Sequence, residues 1–384
     1  MKQNIIILSY YHPWVAGGGH RHVQLTKENL KNNDQVVFIF CSEEEIDNIN
    51  KYKNLAEYKY LSLYKFDDNN QLKIISNPIG TSSSIYELCK EFSPHYIRAH
   101  HPVEVFRQFI NFVKTQNITF IYDQMDDWSC FTKQPWGSDE TENFYIDSSD
   151  LVVTITERLK NKISHYDPEK KVKVIENAIS SSFIKNSREN IKVPIAALEK
   201  IKKDKIVIYT GALWPDWFDW ELCLYLSDQL PNYLFIYIGS AVPPKKEIHI
   251  KDTLILANKL ASCTNVIMIE EIPHEDLVNW LLNAEVGIIP FKVNQLTLSC
   301  SPLKLYDYLA AGLPVVSSNL DQLSGYPEVR LGTNYQEIVD LIYATTKKNL
   351  GPNDLENINN FIDTNNWSNR LTNFEAAIKV IKGK

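Results

Sequence analysis

Short unbroken apolar runs, each trailed by a segment of helical periodicity, restrict the folds open to this chain more than any other feature. Asn4–Ser9 (NIIILS) and Val36–Phe40 show no apolar–polar alternation, as expected of strands covered on both faces. His95–Ala99, Ile118–Tyr122, Leu151–Ile155 and Val172–Ile175 extend the series, with helices expected over Ser84–Phe92, Val103–Lys114, Phe144–Ser149 and Thr156–His165. A polar stretch from Ser180 to Lys205 interrupts the pattern. A second series then starts with the strand Ile206–Tyr209, which runs into Gly211, and continues with Tyr233–Ile238, Val266–Ile269, Glu285–Pro290 and Val315–Ser317. Its helices are expected over Asp219–Leu230 and His274–Asn283, and near Tyr335–Thr346, Leu355–Ile362 and Trp367–Ile381. Strand–helix alternation of this length predicts an α/β fold with two doubly wound parallel sheets. Ligand crevices in such sheets lie at the carboxyl ends of the strands, which puts the deepest expected cleft between the two domains. The polar region Ser42–Ile79 yields no assignment.

A chain of 384 residues suits two domains. The expected division is a first domain over 1–185, a linker over 186–205, a second domain over 206–365 and a terminal helix over 366–384. A formal charge of −7 argues against nucleic acid as a partner. Six dispersed cysteines without a C-x-x-C pair read as reduced packing thiols in a cytosolic protein rather than as a zinc site or a disulfide frame. The first apolar run is too short for a signal peptide, and no run approaches the ~18 apolar residues of a membrane-spanning helix.

The stretch Cys300–Ser318 (CSPLKLYDYLAAGLPVVSS) bears most directly on function. Pro302 suits a first helical turn, Leu303, Tyr306, Leu309 and Ala310 recur at helical spacing, and Gly312 and Pro314 stop the helix before a buried strand. Lys304 and Asp307 stand three residues apart. Amides at a helix start with a lysine suit phosphate, and a carboxylate suits ribose hydroxyls. An ordinary amphipathic helix with an exposed ion pair accounts for the spacing equally well.

SPLKLYDYLAAGLPVVSS resembles the donor-site signature of GT-B glycosyltransferases, especially the retaining family 4 type. The likeness extends to VIENAIS, to IVIYTGALWPDWFDWELCLYLSDQLPNYLFIYIGS and to NVIMIEEIPHEDLVNWLLNAEVGIIPF. It implies two Rossmann-like domains facing a cleft, the first binding acceptor and the second binding the nucleoside-diphosphate sugar, with a final helix that often crosses back to the first. It also implies donor-site roles for Gly211, Ser299, Ser301, Pro302, Leu303, Lys304 and Asp307, with Asp307 on the ribose. Two departures stand out. Ser299 occupies the place of the first signature glutamate, and LWPDWFDWE follows Gly211 where the family has an Arg and a Lys-Gly for the diphosphate. Lys304 is then the main visible counter-charge. The SP-x-K form resembles a branch devoted to bacterial surface polysaccharides, teichuronic-acid-type enzymes among them. Glycan or lipid-linked glycan acceptors, capsule or cell-envelope biosynthesis and retention of configuration follow as implications of that likeness.

Three more constellations complete the candidates. Gly17-Gly18-Gly19 precedes a helix but fails the dinucleotide pattern, since His22 stands where the last glycine would fall. Through the resemblance, Gly18 and Gly19 border donor phosphate and acceptor, with His20 included by proximity; a plain loop is the competing reading. His100 and His101 follow a strand, where neighbouring side chains point apart, so a metal is not expected. The family's sugar-contacting histidine falls on His100; a satisfied structural imidazole is the competing reading. Asp123, Asp126 and Asp127 in DQMDDW sit at another strand exit, where a carboxylate could orient an acceptor hydroxyl or act as base. Helix capping explains Asp126 or Asp127 too; a similar Asp-Asp-Trp occurs in the teichuronic-acid-like branch. No cofactor beyond the sugar donor is expected. Lys160, Lys162, Lys170, Lys171, Lys173, Lys202, Lys203 and Lys205 suit contact with an anionic membrane surface, and solvated helix faces explain them as well. The rivals are a non-catalytic sugar-nucleotide-binding subunit and an inverting transferase or epimerase of the same fold.

Overall fold

The computed structural model describes residues 2–13, 19–42, 61–66, 71–76, 83–131, 134–180, 183, 205–241, 250–347 and 350–383. The chain divides into two compact units, one of Met1–Glu176, Ser299–Ser301 and Trp367–Lys384, the other of Asn177–Leu298 and Pro302–Asn366. The expected linker, apart from Lys205, lies outside the described residues, as does Gly18.

In the first unit the strands are β1 (Asn4–Ser9), β2 (Gln35–Phe40), β3 (Leu61–Phe66), β4 (Leu72–Ser76), β5 (Tyr96–Ala99), β6 (Thr119–Gln124), β7 (Leu151–Thr154) and β8 (Val172–Val174). They pair in the order β4-β3-β2-β1-β5-β6-β7-β8, all parallel except β3 with β4. The order reverses between β1 and β5, so their carboxyl ends open a crevice there. β3 and β4 occupy the stretch left unassigned from sequence, because LSLYKF and LKIIS are short and mix lysines among the apolar residues.

The helices are α1 (Arg21–Lys31), α2 (Ile85–Phe92), α3 (Arg107–Thr115), α4 (Asp139–Ser148) and α5 (Glu157–Tyr166). Ser84, Ser138 and Thr156 cap α2, α4 and α5 by accepting from N–H groups one turn in. The Ser138 cap and an acidic first turn carry α4 five residues ahead of its expected start at Phe144.

Along these strands side chains alternate between two buried faces. Ile6, Leu8, Ile97, Ala99, Phe120 and Tyr122 face one core, while Ile5, Ile7, Phe38, Tyr96, Ile121 and Val153 face the other.

In the second unit β9 (Lys205–Thr210), β10 (Tyr233–Ile238), β11 (Val266–Ile269), β12 (Val286–Ile289), β13 (Val315–Ser318) and β14 (Val329–Gly332) form a parallel sheet ordered β11-β10-β9-β12-β13-β14. Its reversal falls between β9 and β12. Around it lie α6 (Trp220–Gln229), capped by Asp219, α7 (Ile250–Ala261), α8 (Leu277–Leu281), α9 (Gln295–Ser299), α10 (Leu303–Ala310), α11 (Tyr335–Thr345) and α12 (Pro352–Thr364). The expected helix His274–Asn283 is a 3-10 turn, His274–Asp276, leading into the five-residue α8. Pro302 is the N-cap of α10 rather than its first residue, with an extended ψ of 117°. The helix α13 (Trp367–Lys382) counts with the first unit, where Phe374 and Ile378 complete the second core.

Candidate functional site

Each reversal point gathers its own chemistry, and the two differ. In the first unit the alternation that buries Tyr96 also turns Arg98 toward α1 and α13, and His100 continues that series past the strand end. Arg98 is fully buried, its guanidinium 5.2 Å from the Phe374 ring centre and its Nη2 donating to Asn29 Oδ1 at 3.4 Å. On β6 the same parity brings in Asp123, also fully buried. Arg21, opening α1, donates from Nε to both Asp123 oxygens at 3.0 and 3.1 Å and from Nη1 to the Glu176 carbonyl at 3.1 Å. His100 Nδ1 approaches Asp123 Oδ2 to 3.2 Å, off the direction of a linear hydrogen bond, so the contact is chiefly electrostatic.

These surroundings decide the charges. Burial alone would raise the Asp123 carboxyl, but Arg21 and then His100 override it and hold the group well below the usual carboxylate range. Burial pulls His100 down to about 4 despite the pull of Asp123, so the ring is neutral at neutral pH. His22, whose ring centre lies 5.5 Å from that of His100, is likewise lowered, first by burial and then by its histidine neighbours. Neither nitrogen of His22 has a hydrogen-bond partner among the described residues.

His101 faces the other way, as adjacent residues on extended chain must. Its Nδ1 accepts from the Tyr10 N–H at 3.3 Å, and its ring sits among Trp128, Trp136 and Tyr11 at centroid distances of 5.2, 5.6 and 5.6 Å. His20 is the N-cap of α1, with its ring 5.7 Å from that of His22. Gly19 precedes it in a turn.

The aspartates after β6 separate clearly. Asp127 is buried; Lys162 Nζ bonds its Oδ1, as does Ser129 Oγ at 2.6 Å. Lys162 also stands 3.7 Å from Glu142, which Tyr122 and Gln124 hydrogen-bond. Asp126 is partly exposed, and desolvation, with a smaller push from Asp127, raises its carboxyl to about 7.

In the second unit β9 runs out at Gly211, whose φ of +117° disfavours any residue with a Cβ. A methyl there would lie 3.3 Å from Lys304 Cε and Nζ. The half-buried Lys304 brings its ammonium from α10 to 5.0 Å from the Tyr209 ring centre and 4.6 Å from that of Phe291, at the exits of β9 and β12. Leu303 opens α10 beside it. One turn on, the buried Asp307 meets His274 Nε2 at 3.0 Å through Oδ2, and His274 lies over Phe183 at 4.8 Å. Ser299 and Ser301 are buried and count with the first unit, where Thr156 Oγ1 donates to the Ser299 carbonyl at 3.1 Å.

Among the described residues no group of three or more metal-ligating side chains has the spacing to hold an ion. No helix among them is long and apolar enough to cross a membrane. Of the lysines considered for a membrane surface, Lys160 pairs with Glu157 and Lys162 with Asp127, and Lys202 and Lys203 lie outside the described residues.

Sequence reasoning missed Arg21, Arg98, His22 and His274. Arg98 was detectable as a lone charge in a buried strand; the other three take their roles from partners distant in sequence.

The two parallel sheets, each flanked by helices and each with its reversal point, are those of a GT-B fold. No protein-family model matches the chain. Over 204 residues it is 24% identical to TuaH of Bacillus subtilis (strain 168), a protein provisionally assigned as a teichuronic acid biosynthesis glycosyltransferase; the match covers 52% of this chain and 48% of that one. The chain thus spans about half the length of this curated relative. Solved structures align over the whole chain. A UDP-forming α,α-trehalose-phosphate synthase from Burkholderia vietnamiensis superposes with a TM-score of 0.65 at 11% identity, covering 100% of both chains. A sucrose-phosphate synthase from Thermosynechococcus elongatus gives 0.62 at 12% identity, covering 99% of this chain and 100% of the other. A glycosyltransferase from Rickettsia africae gives 0.65 at 11%, covering 100% and 99%. At such identities the likeness shows the fold.

Proposed function

We propose that this protein is a glycosyltransferase that moves a sugar from a nucleoside-diphosphate sugar to a glycan or lipid-linked glycan acceptor of the bacterial cell surface, with retention of configuration. The observation that carries the reading is Lys304 lying over Gly211 at the exits of β9 and β12. Backbone without a Cβ and an ammonium held on two ring faces suit a diphosphate, which needs cationic and N–H partners when bound. The fold shared with UDP-forming and sugar-phosphate synthases supports a nucleotide sugar as donor, and the partial likeness to TuaH supports a surface polysaccharide as product. Chemistry of this kind rests on orienting the two sugars and stabilising the departing diphosphate. On this reading the enzyme works at the cytoplasmic side, with any membrane contact peripheral and directed by its acceptor.

A specific departure favours a second reading, a non-catalytic sugar-nucleotide-binding subunit: Ser299 stands where the signature glutamate would, and LWPDWFDWE replaces the cationic loop. Thermal stabilisation by UDP, GDP, dTDP and CMP, followed by turnover of the matching sugar donors with product anomers read by NMR, separates the two. The transferase reading expects one nucleoside diphosphate to stabilise the wild type and its sugar to be transferred with retained configuration. Stabilisation without turnover across an acceptor panel would favour the binding subunit, and no stabilisation by any nucleotide would remove both.

A further inference from the structure

Two adjacent histidines turn Nδ1 toward opposite kinds of neighbour, and the residue facing the first of them lies outside the roles given so far. His101 Nδ1 accepts the Tyr10 N–H, so the proton of a neutral ring belongs on its Nε2. His100 Nδ1 instead faces Asp123 Oδ2 at 3.2 Å. An ionised carboxylate has lone pairs and no proton to give. A bare Nδ1 at that distance would set one lone pair against another, whereas an Nδ1–H would be attracted even off the ideal line. Arg21 fixes both oxygens of Asp123 through Nε, so the carboxylate cannot turn away. The Nε2 of His100 is buried and has no hydrogen-bond partner among the described residues.

We propose that Asp123, pinned by Arg21, is a positioning residue that keeps the His100 proton on Nδ1 and presents the Nε2 lone pair to a hydroxyl of the transferred sugar. Neutrality of His100 follows from its burial, and ionisation of Asp123 from Arg21. The histidine is thereby an acceptor and not a donor or a cation. It discriminates for a hydroxyl hydrogen and against a second carbonyl or phosphate oxygen at that spot, much as a buried carboxylate sets the working tautomer of a catalytic imidazole. The sugar half of the proposal rests on the transferase reading; the tautomer half does not.

The test is 15N NMR of histidine-labelled full-length protein at neutral pH, with His100→Gln and His101→Gln assigning the two rings. The expected spectrum has His100 protonated at Nδ1 and His101 at Nε2. His100 protonated at Nε2 in the folded wild type overturns the proposal whatever the protein's activity. In Asp123→Asn the amide can donate to Nδ1, so the His100 proton is expected to move to Nε2; if that variant does not fold, the wild-type spectrum decides alone. For the sugar contact, the His100 Nε2 signal should shift on adding a sugar nucleotide that binds and stay put with the parent nucleoside diphosphate. A bound sugar nucleotide that leaves Nε2 unmoved overturns the contact. Given turnover, Asp123→Asn should lower kcat about tenfold with donor KM little changed, as loss of one aligned hydrogen bond predicts. A folded Asp123→Asn with wild-type kcat overturns the positioning role. Absence of turnover in the wild type counts against the transferase reading, while the tautomer measurement stands.

Discussion

The two reversal points solve opposite problems with the same topology. At the β1–β5 exit, charge is buried and consumed internally: Arg21 holds Asp123, Asp123 holds His100, and Arg98 lies against Phe374. At the β9–β12 exit, a half-buried lysine rests on two aromatic faces beside a glycine that cannot readily be anything else. The first arrangement presents neutral, oriented hydrogen-bonding groups, as a hydroxyl-rich ligand requires. The second keeps a half-buried cation against aromatic rings, beside backbone without a Cβ.

Removing one partner from each exit breaks the comparison most directly. Asp123→Ala leaves Arg21 buried without its carboxylate, and loss of one member of a buried pair costs about 3–5 kcal/mol. Asp307→Ala removes a carboxylate from a single contact with the less deeply buried His274, for which a smaller loss is expected. Chemical denaturation of both variants checks the contrast; equal losses would mean that the first exit is no more interlocked than the second.

Ligand affinity sharpens the other side. Lys304→Ala should weaken binding of the stabilising nucleoside diphosphate by about 10- to 150-fold, the equivalent of one charge-assisted hydrogen bond of about 1.5–3 kcal/mol. Lys304→Arg should lose far less. Isothermal titration measures both, and equal binding by wild type and Lys304→Ala would remove the diphosphate from this exit.

Acid should act on the first exit. An unfolded histidine titrates near 6.5, whereas His100 in the folded protein is lowered to about 4 and His22 and His101 are lowered with it. Between those limits the unfolded chain binds more protons, so stability is unaffected above pH 6.5 and falls as pH drops toward 4. Each such histidine contributes a slope of up to ~1.4 kcal/mol per pH unit. Denaturation midpoints from pH 7.5 to 5 should fall, and His22→Leu, which removes a ring with two unpartnered nitrogens, should flatten the fall. An unchanged slope would exclude His22 from the buried titrating set.

Much of this architecture was readable from residues whose neighbours in sequence are their neighbours in space. Val315–Ser318, the glycine at the end of β9 and the helix opening at Leu303 announce themselves through burial pattern, φ preference and capping. That Lys304 and Asp307 share one helix was legible for the same reason. Arg21 and its pairing with Asp123 were not, because nothing local to HRH or DQM says that α1 and β6 meet. DQMDDW offered three carboxylates with no local means of ranking them, and only the contacts of Arg21 and Lys162 separate them. β3 and β4 failed for a different reason: strands near a sheet edge need no continuous apolar run.

The smallest expected effect concerns which of the two aspartates after β6 is available for chemistry. Asp127 is tied to Lys162 and Ser129, whereas Asp126 is partly exposed and its carboxyl is raised to about 7. A folded value above the unfolded one means that the native state keeps a proton the unfolded chain has lost. Stability therefore declines as pH rises from about 4 to about 7 and is level beyond. Asp126→Asn, which is never charged, should match the wild type near pH 4 and exceed it above pH 7. Asp127→Asn should instead be destabilising at neutral pH through loss of the Lys162 pair. If transfer is assayed, the rate of the wild type should gain an ionisation near 7 that Asp126→Asn lacks. A pH profile identical in the two would leave Asp126 outside the chemistry.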